Sequence, residues 1–269
     1  LIAVVIKIKA ITIRQIQGDR DQLVTEEIAE EKPLTIYLNE QEIITILCSP
    51  GHEDELAVGF LLAEGLLYEE SLVEQVKIDP DQGLAWVTAQ KVNRLGRDTW
   101  KKRYLTTGCG GGTTAFYNLM DLKQCRPLSL RENMITPHEA RGLMQLMQKK
   151  AQLYKKTHGV HSAALFTTQE MVVFREDVGR HNAIDKIAGY CFLNGIAPDE
   201  KILASSGRIS SEMLLKAVRL QVPIILSRSA PTSLAVDLAQ ELRLTLIGFI
   251  RGNLLKIYTF PQRVSAADQ

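Results

Sequence analysis

Residues 201–260, KILASSGRISSEMLLKAVRLQVPIILSRSAPTSLAVDLAQELRLTLIGFIRGNLLKIYTF, decide the fold. Short apolar runs at 201–205, 222–227 and 244–250 read as buried strands. Between them lie two helical patterns. The first is capped by Ser210 or Ser211 and puts Met213, Leu214, Ala217 and Val218 on one face. The second runs from about Ser233 to Leu242. Strands alternating with helices of this length predict a parallel sheet. The turn Arg251-Gly252-Asn253 is too short for a crossover, so the strand 255–260 predicts an antiparallel edge.

Working outward, 161–167 and 171–178 read as paired strands around Thr168-Gln169-Glu170. Asn182 is expected to cap a helix striped by Ile184, Ile187, Ala188 and Cys191 and ended by Gly195. Thr136 and Pro137 open a helix expected to run to Tyr154. The first half predicts a hairpin at 34–47 around Asn39-Glu40-Gln41. After it comes a helix with Glu53, Asp54 and Glu55 in its first turn and an apolar stripe of Leu56, Phe60, Ala63 and Leu67. Two strands follow, around Asp79-Pro80-Asp81. Near the start, Ile6, Ile8, Ile11 and Ile13 alternate imperfectly with polar residues, as in a half-buried strand.

Composition bounds the function. The chain has 269 residues, 45% of them hydrophobic and 23% charged, with a formal net charge of +1. Near-neutrality and 6% aromatic residues argue against a nucleic-acid binder. No apolar stretch reaches the roughly 18 residues of a membrane span. Cys48, Cys109, Cys125 and Cys191 form no CxxC pair and no zinc-finger spacing, so free thiols and a cytoplasmic location are expected, with no structural metal.

In open parallel sheets, ligands bind beyond the carboxyl ends of the strands. Three such ends carry an Arg beside Ser or Gly: Ser205-Ser206-Gly207-Arg208, Ser227-Arg228-Ser229, and Phe249-Ile250-Arg251-Gly252-Asn253-Leu254. Two of them precede helix N-termini, whose free N–H groups attract anions. The guanidinium fork matches phosphate oxygens. This edge is therefore a candidate phosphate or nucleotide site, though no Gly-Lys step exists for a P-loop. Arg175 to Ala183 loads a strand-to-helix junction with Arg180, His181, Asn182 and two carboxylates, and His161 opens the preceding strand.

Cys109 sits in Gly108-Cys109-Gly110-Gly111-Gly112, after a basic run at 91–103 with six basic residues and one acidic. Glycines give the backbone maximal freedom, and nearby positive charge lowers a thiol pKa. The segment is expected to be a mobile loop presenting one thiol. Gly110 to Ala115 also fits a G-x-G-x-x-A dinucleotide pattern, but Lys101, Lys102 and Arg103 spoil the strand that should precede it. A zinc deaminase is disfavoured by the missing CxxC.

The motifs TTGCGGG (106–112), THGVHSAALF (157–166), REDVGRHNAIDKIAG (175–189), SSGRISSEMLLKAV (205–218) and SRSAPTSLAVDLA (227–239) resemble the FdhD/NarQ family. HEDELAVGFLLAEGLL (52–67) and LTLIGFIRGNLLKIYTFPQR (244–263) extend the resemblance over most of the chain from about residue 30. It implies an α/β fold, a cytidine-deaminase-like mixed sheet with helices over 127–269. A smaller N-terminal α+β region over 1–126 would precede it, and its first strand could join the other domain. It implies a sulfurtransferase that takes persulfide sulfur from a cysteine desulfurase onto Cys109. The sulfur would pass to the molybdenum bis(molybdopterin guanine dinucleotide) cofactor, a bound substrate, for formate dehydrogenase. A homodimer is also implied. The family's cofactor-binding stretch maps onto Phe249 to Leu254, with Gly207, Arg208, Ser227, Arg228, Ser229, Arg180, His181 and His161 expected to line the same site. Many members have a second loop cysteine where this chain has Gly112. Either one Cys suffices, or Cys125 takes part, or transfer is impaired. A non-catalytic chaperone for the same cofactor is the alternative reading.

Overall fold

A computed structural model describes residues 8–68, 71–92, 127–132 and 134–265. The described strands form three sheets: a two-stranded ribbon, a four-stranded sheet and a six-stranded sheet.

The six-stranded sheet is built from β7 (His161–Phe166), β8 (Met171–Asp177), β9 (Ile202–Ser205), β10 (Ile224–Ser227), β11 (Thr245–Arg251) and β12 (Leu254–Ile257). Their order is β12-β11-β10-β9-β7-β8. β9, β10 and β11 run parallel, as the alternation of runs and helices requires. β12 returns antiparallel, and the β7–β8 hairpin pairs antiparallel with β9. The antiparallel border therefore lies on both flanks, not one.

Both faces of this sheet are covered, which is why β9 and β10 are buried at every position. Leu165, Leu203, Ile225 and Leu246 pack toward α4 (Arg180–Leu193), α5 (Ser211–Arg219) and α6 (Ser233–Glu241). Ala164, Phe166, Ile224, Leu226 and Ile247 pack on the other face with Leu143, Met144 and Met147 of α2 (Pro137–Lys150). The α/β class, a mixed sheet with helices, is as expected.

Three local boundaries differ from the sequence reading. The expected helix from Pro137 to Tyr154 breaks at Ala151, and α3 (Gln152–Thr157) follows. The Glu176 carboxylate on β8 accepts from the Leu153 and Tyr154 amides and so starts a second helix. Asn182 is not the cap of α4; Gly179 is, and the helix begins at Arg180. The Asn182 side chain instead donates to Asp177 Oδ1 and to the Leu47 carbonyl, both at 2.8–2.9 Å. The first strand, β1 (Ile8–Gln17), is joined by an unforeseen β2 (Arg20–Ala29) in a mostly exposed ribbon.

The four-stranded sheet contains β3 (Lys32–Leu38), β4 (Gln41–Cys48), β5 (Leu72–Asp79) and β6 (Leu84–Gln90), ordered β4-β3-β6-β5. Asn39 and Glu40 make the hairpin turn, both at positive φ. Such a two-residue turn matches the strand twist. One face packs on α1 (Glu53–Ala63). α1 then crosses α4 backbone to backbone, with no room for side chains at the crossing: a Cβ on Gly59 would lie 1.8 Å from the Asp185 carbonyl oxygen, and one on Gly189 1.8 Å from that of Glu55. The two sheets thus share a helix pair. The expected division near residue 126 falls at 93–126, outside the described residues.

Candidate functional site

The candidate site is the carboxyl edge of β9, β10 and β11. Its three turns are laced together through the backbone. Ile209 donates to the Ala230 carbonyl, Thr232 to that of Ile209, and Phe249 to that of Ser229. Ser205 Oγ accepts from the Gly207 amide, and Ser227 Oγ donates to the Gly207 carbonyl at 2.8 Å while accepting from the Ser229 amide. Ser227 is fully buried, so it braces two turns against each other. Arg251 Nε donates to the Arg228 carbonyl at 3.0 Å, tying the second turn to the third. Arg208 and Arg251 are exposed and Arg228 half-buried.

At the third turn, β11 and β12 slip register between Gly248 and Arg251. Phe249 takes a left-handed φ of 53° there. A non-glycine residue in that region is strained. Its ring has Lys256 Nζ 4.5 Å and the Arg251 guanidinium 5.7 Å from its centroid. Ile250 is buried in the core, so its backbone is the part at the edge. Gly252, at φ 56°, and Asn253 form the turn into Leu254, which is half exposed.

The β7 start and the α4 start close the other end of the edge. His161 Nδ1 stands 3.3 Å from Ser206 Oγ, and Ser206 Oγ accepts from the Ser162 amide. Arg180 packs flat on Gly207, where any Cβ would come within 3.0 Å of its side chain. His181 Nε2 is 3.1 Å from Glu212 Oε2 on α5. Burial pushes the His161 pKa below the ordinary imidazole value, helped by Arg180 and His181. Burial lowers His181 too, and Glu212 offsets only part of it. Both rings are therefore neutral near pH 7.

Beneath the α4 N-terminus lies a charged network that sequence reading missed. Asp177, fully buried, accepts from the Ser49 amide, the Gly179 amide and Asn182, and pairs with Lys186 Nζ at 2.7 Å. Lys186 also donates to the Ser49 carbonyl. One turn along the α4–α5 contact, Lys216 Nζ reaches both Asp185 oxygens at 2.6 Å. On the far side of α4, Glu55 takes a fork from Arg175 at 2.5 and 2.6 Å. Burial alone would raise the Glu55 pKa, but Arg175 and His52 outweigh it and hold it low. The one signal for these pairs was Asp185-Lys186 inside an apolar helical stripe.

Cys48 and Cys191 are buried, and burial pushes their thiols up to about 12 and about 11. Neither is poised for chemistry at neutral pH. Cys109, its glycine segment and Cys125 lie outside the described residues. Among the described residues no group of three His, Cys, Asp or Glu side chains could hold a metal ion, and no helix is long and apolar enough to cross a membrane.

The FdhD/NarQ family model matches residues 29–265. The chain belongs to the FdhD/NarQ family. Among its relatives is the sulfur carrier protein FdhD of Bacillus pumilus, 43% identical over 241 residues, 90% of this chain and 91% of that protein. The FdhD of Bacillus subtilis is 39% identical, covering 93% of each chain. A crystal structure assigned as a formate dehydrogenase accessory protein, from Desulfotalea psychrophila, aligns with a TM-score of 0.78 at 27% identity. That alignment covers 96% of this chain and 99% of the other. The family match runs through every strand of both larger sheets, and so through all three edge turns.

Proposed function

We propose that this protein is a sulfur carrier that accepts persulfide sulfur on Cys109 and delivers it to the molybdenum bis(molybdopterin guanine dinucleotide) cofactor of formate dehydrogenase. Support comes from family membership and from the names of the relatives. The observation that carries the cofactor half is the laced edge of three Ser/Gly/Arg turns beside Arg180, a receptor for diphosphate groups. Phe249 to Leu254, Gly207, Arg208, Ser227, Arg228, Ser229, Arg180, His181 and His161 are its residues. Ser227 acts through the turns it braces.

Loading is thiol exchange. The Cys109 thiolate attacks the terminal sulfur of a persulfide on a cysteine desulfurase. The donor S–S bond breaks, the donor cysteine leaves as thiolate, and Cys109 holds the sulfur as a new persulfide. In this loading exchange electrons balance without an external reductant. Gly112, standing where a second cysteine would resolve that persulfide as a disulfide, leaves Cys109 to act alone. Cytoplasmic location and a homodimer belong to the same proposal.

The test is intact-mass analysis after incubation with a desulfurase and cysteine. A gain of one sulfur atom is expected in the parent chain and in Cys125→Ala and Cys191→Ala, and none in Cys109→Ala. Only Cys109→Ala should fail to activate formate dehydrogenase in cells. Full activation by Cys109→Ala would refute the carrier role and leave a cofactor-binding chaperone.

A further inference from the structure

Two imidazoles from different elements lie close enough to act on each other electrostatically, each engaged by a partner on another element: His161 by Ser206, His181 by Glu212. We propose that binding of a guanine dinucleotide diphosphate at this edge places a proton on His181, so that the site holds its ligand more tightly as pH falls. This deepens the cofactor-binding reading above and rests on it.

Charged groups face His181 from its own helix and from α5. Arg180 precedes it on α4, and Lys216 approaches from α5. Of the acids, Asp185 lies one turn along α4 and has both oxygens occupied by Lys216. Asp177 on β8 faces His161 and is paired with Lys186. Glu212 is the acid in contact with the His181 ring, and its 3.1 Å approach to Nε2 becomes a full ion pair only when the ring carries a proton. His161 is itself neutral, and Arg208 adds positive charge on the exposed side of the turn. The ring nitrogen is buried, so water does little to stabilise its charge.

The unliganded surroundings therefore hold His181 neutral with a carboxylate already waiting. A diphosphate docked on Arg180 and the neighbouring turns brings negative charge beside the ring and offsets the two cations. The charged imidazole is then favoured from both sides, by Glu212 and by the ligand. By linkage, a group that gains a proton on binding makes binding tighter at lower pH.

Calorimetry in two buffers of different protonation enthalpy reads the effect directly. The probe is diguanosine diphosphate, two guanosines joined by a diphosphate diester whose phosphates do not titrate near neutrality. Between pH 6.5 and 8.5, proton uptake is expected, with affinity changing by up to about tenfold per pH unit. In His181→Gln the amide keeps a donor toward Glu212 but takes no proton, so affinity should fall at pH 6.5 and the binding that remains should carry no uptake. In Glu212→Gln the uptake should move to lower pH. A parent chain that binds the probe with no proton uptake overturns the inference while leaving the cofactor reading intact. So does uptake that survives in His181→Gln, disappears instead in His161→Asn, or is unmoved in Glu212→Gln. A parent chain that does not bind the probe refutes the cofactor reading itself, and this inference with it.

Discussion

Replacing Lys186 with Met tests whether the buried network under α4 holds the two large sheets together. Met fills nearly the same volume but leaves the Asp177 carboxylate, 0% exposed, without its cation. Breaking a buried pair by removing one partner costs about 3–5 kcal/mol. Asp177 would keep its bonds from the Ser49 and Gly179 amides and Asn182, so the lower end of that range, about 3 kcal/mol, is expected. At about 2–4 °C per kcal/mol for a chain of this size, the Tm should fall by about 6–12 °C. Asp177→Asn alone strands the ammonium against the Ser49 carbonyl and should cost a similar amount. The double variant leaves no charge at this pair, so it should recover more than half of the loss. Thermal and urea unfolding of all four proteins complete the cycle. A Lys186→Met protein within about 2 °C of the parent would refute the reasoning, as would single losses that simply add.

The edge arginines give a second expectation: Arg228→Ala should weaken guanine dinucleotide binding by about 10- to 150-fold, or about 1.5–3 kcal/mol, and Arg228→Lys should recover part of it, measured by calorimetry. Two parent-like affinities would remove Arg228 from the site. The buried thiols give a third: native iodoacetamide labelling at pH 8, read by peptide mass spectrometry, should spare Cys48 and Cys191, whose pKa values stand at about 12 and about 11, and denaturant should open both to labelling. The fourth concerns acid. His161 and His181 have folded pKa values below their unfolded value of 6.5, so their contribution to stability is present above pH 6.5 and is lost as pH falls through the folded values. Glu55, held low by Arg175, adds a further loss below the ordinary carboxylate range. The Tm should decline from about pH 6.5 downward, and a flat profile from pH 7.5 to 5 would contradict this.

Much of the large sheet was legible because its strands are buried on both faces and its helices carry clean apolar stripes. Apolar runs such as Ile224–Ser227 have no alternative use in a chain of this kind. The α4 start was misplaced because Asn182, a good local cap, spends its amide on Leu47, a partner 135 residues away. The break at Ala151 has the same origin, a carboxylate on β8 that no local pattern reveals. β2 went unseen because RDQLVTEEIA buries neither face and so shows no alternation. The three Arg turns were readable from strand ends alone. His181 stood out as a polar residue at a strand-to-helix junction, but its partner Glu212 belongs to the next helix and required the fold.

The glycine crossing of α1 and α4 has a consequence for how the chain is made. Domains emerging from the ribosome usually fold in order, N-terminal first. Here the four-stranded sheet leaves the ribosome with α1 complete, yet the groove at Gly59 has nothing to seat. Ser49, at the end of that sheet, awaits a lysine 137 residues downstream. Until α4 has been synthesised, the α1 face that receives it stays open to water. Translation stalled before residue 193 should therefore leave a chain that protease cuts within 53–63. Release past that point should close the joint in a single step.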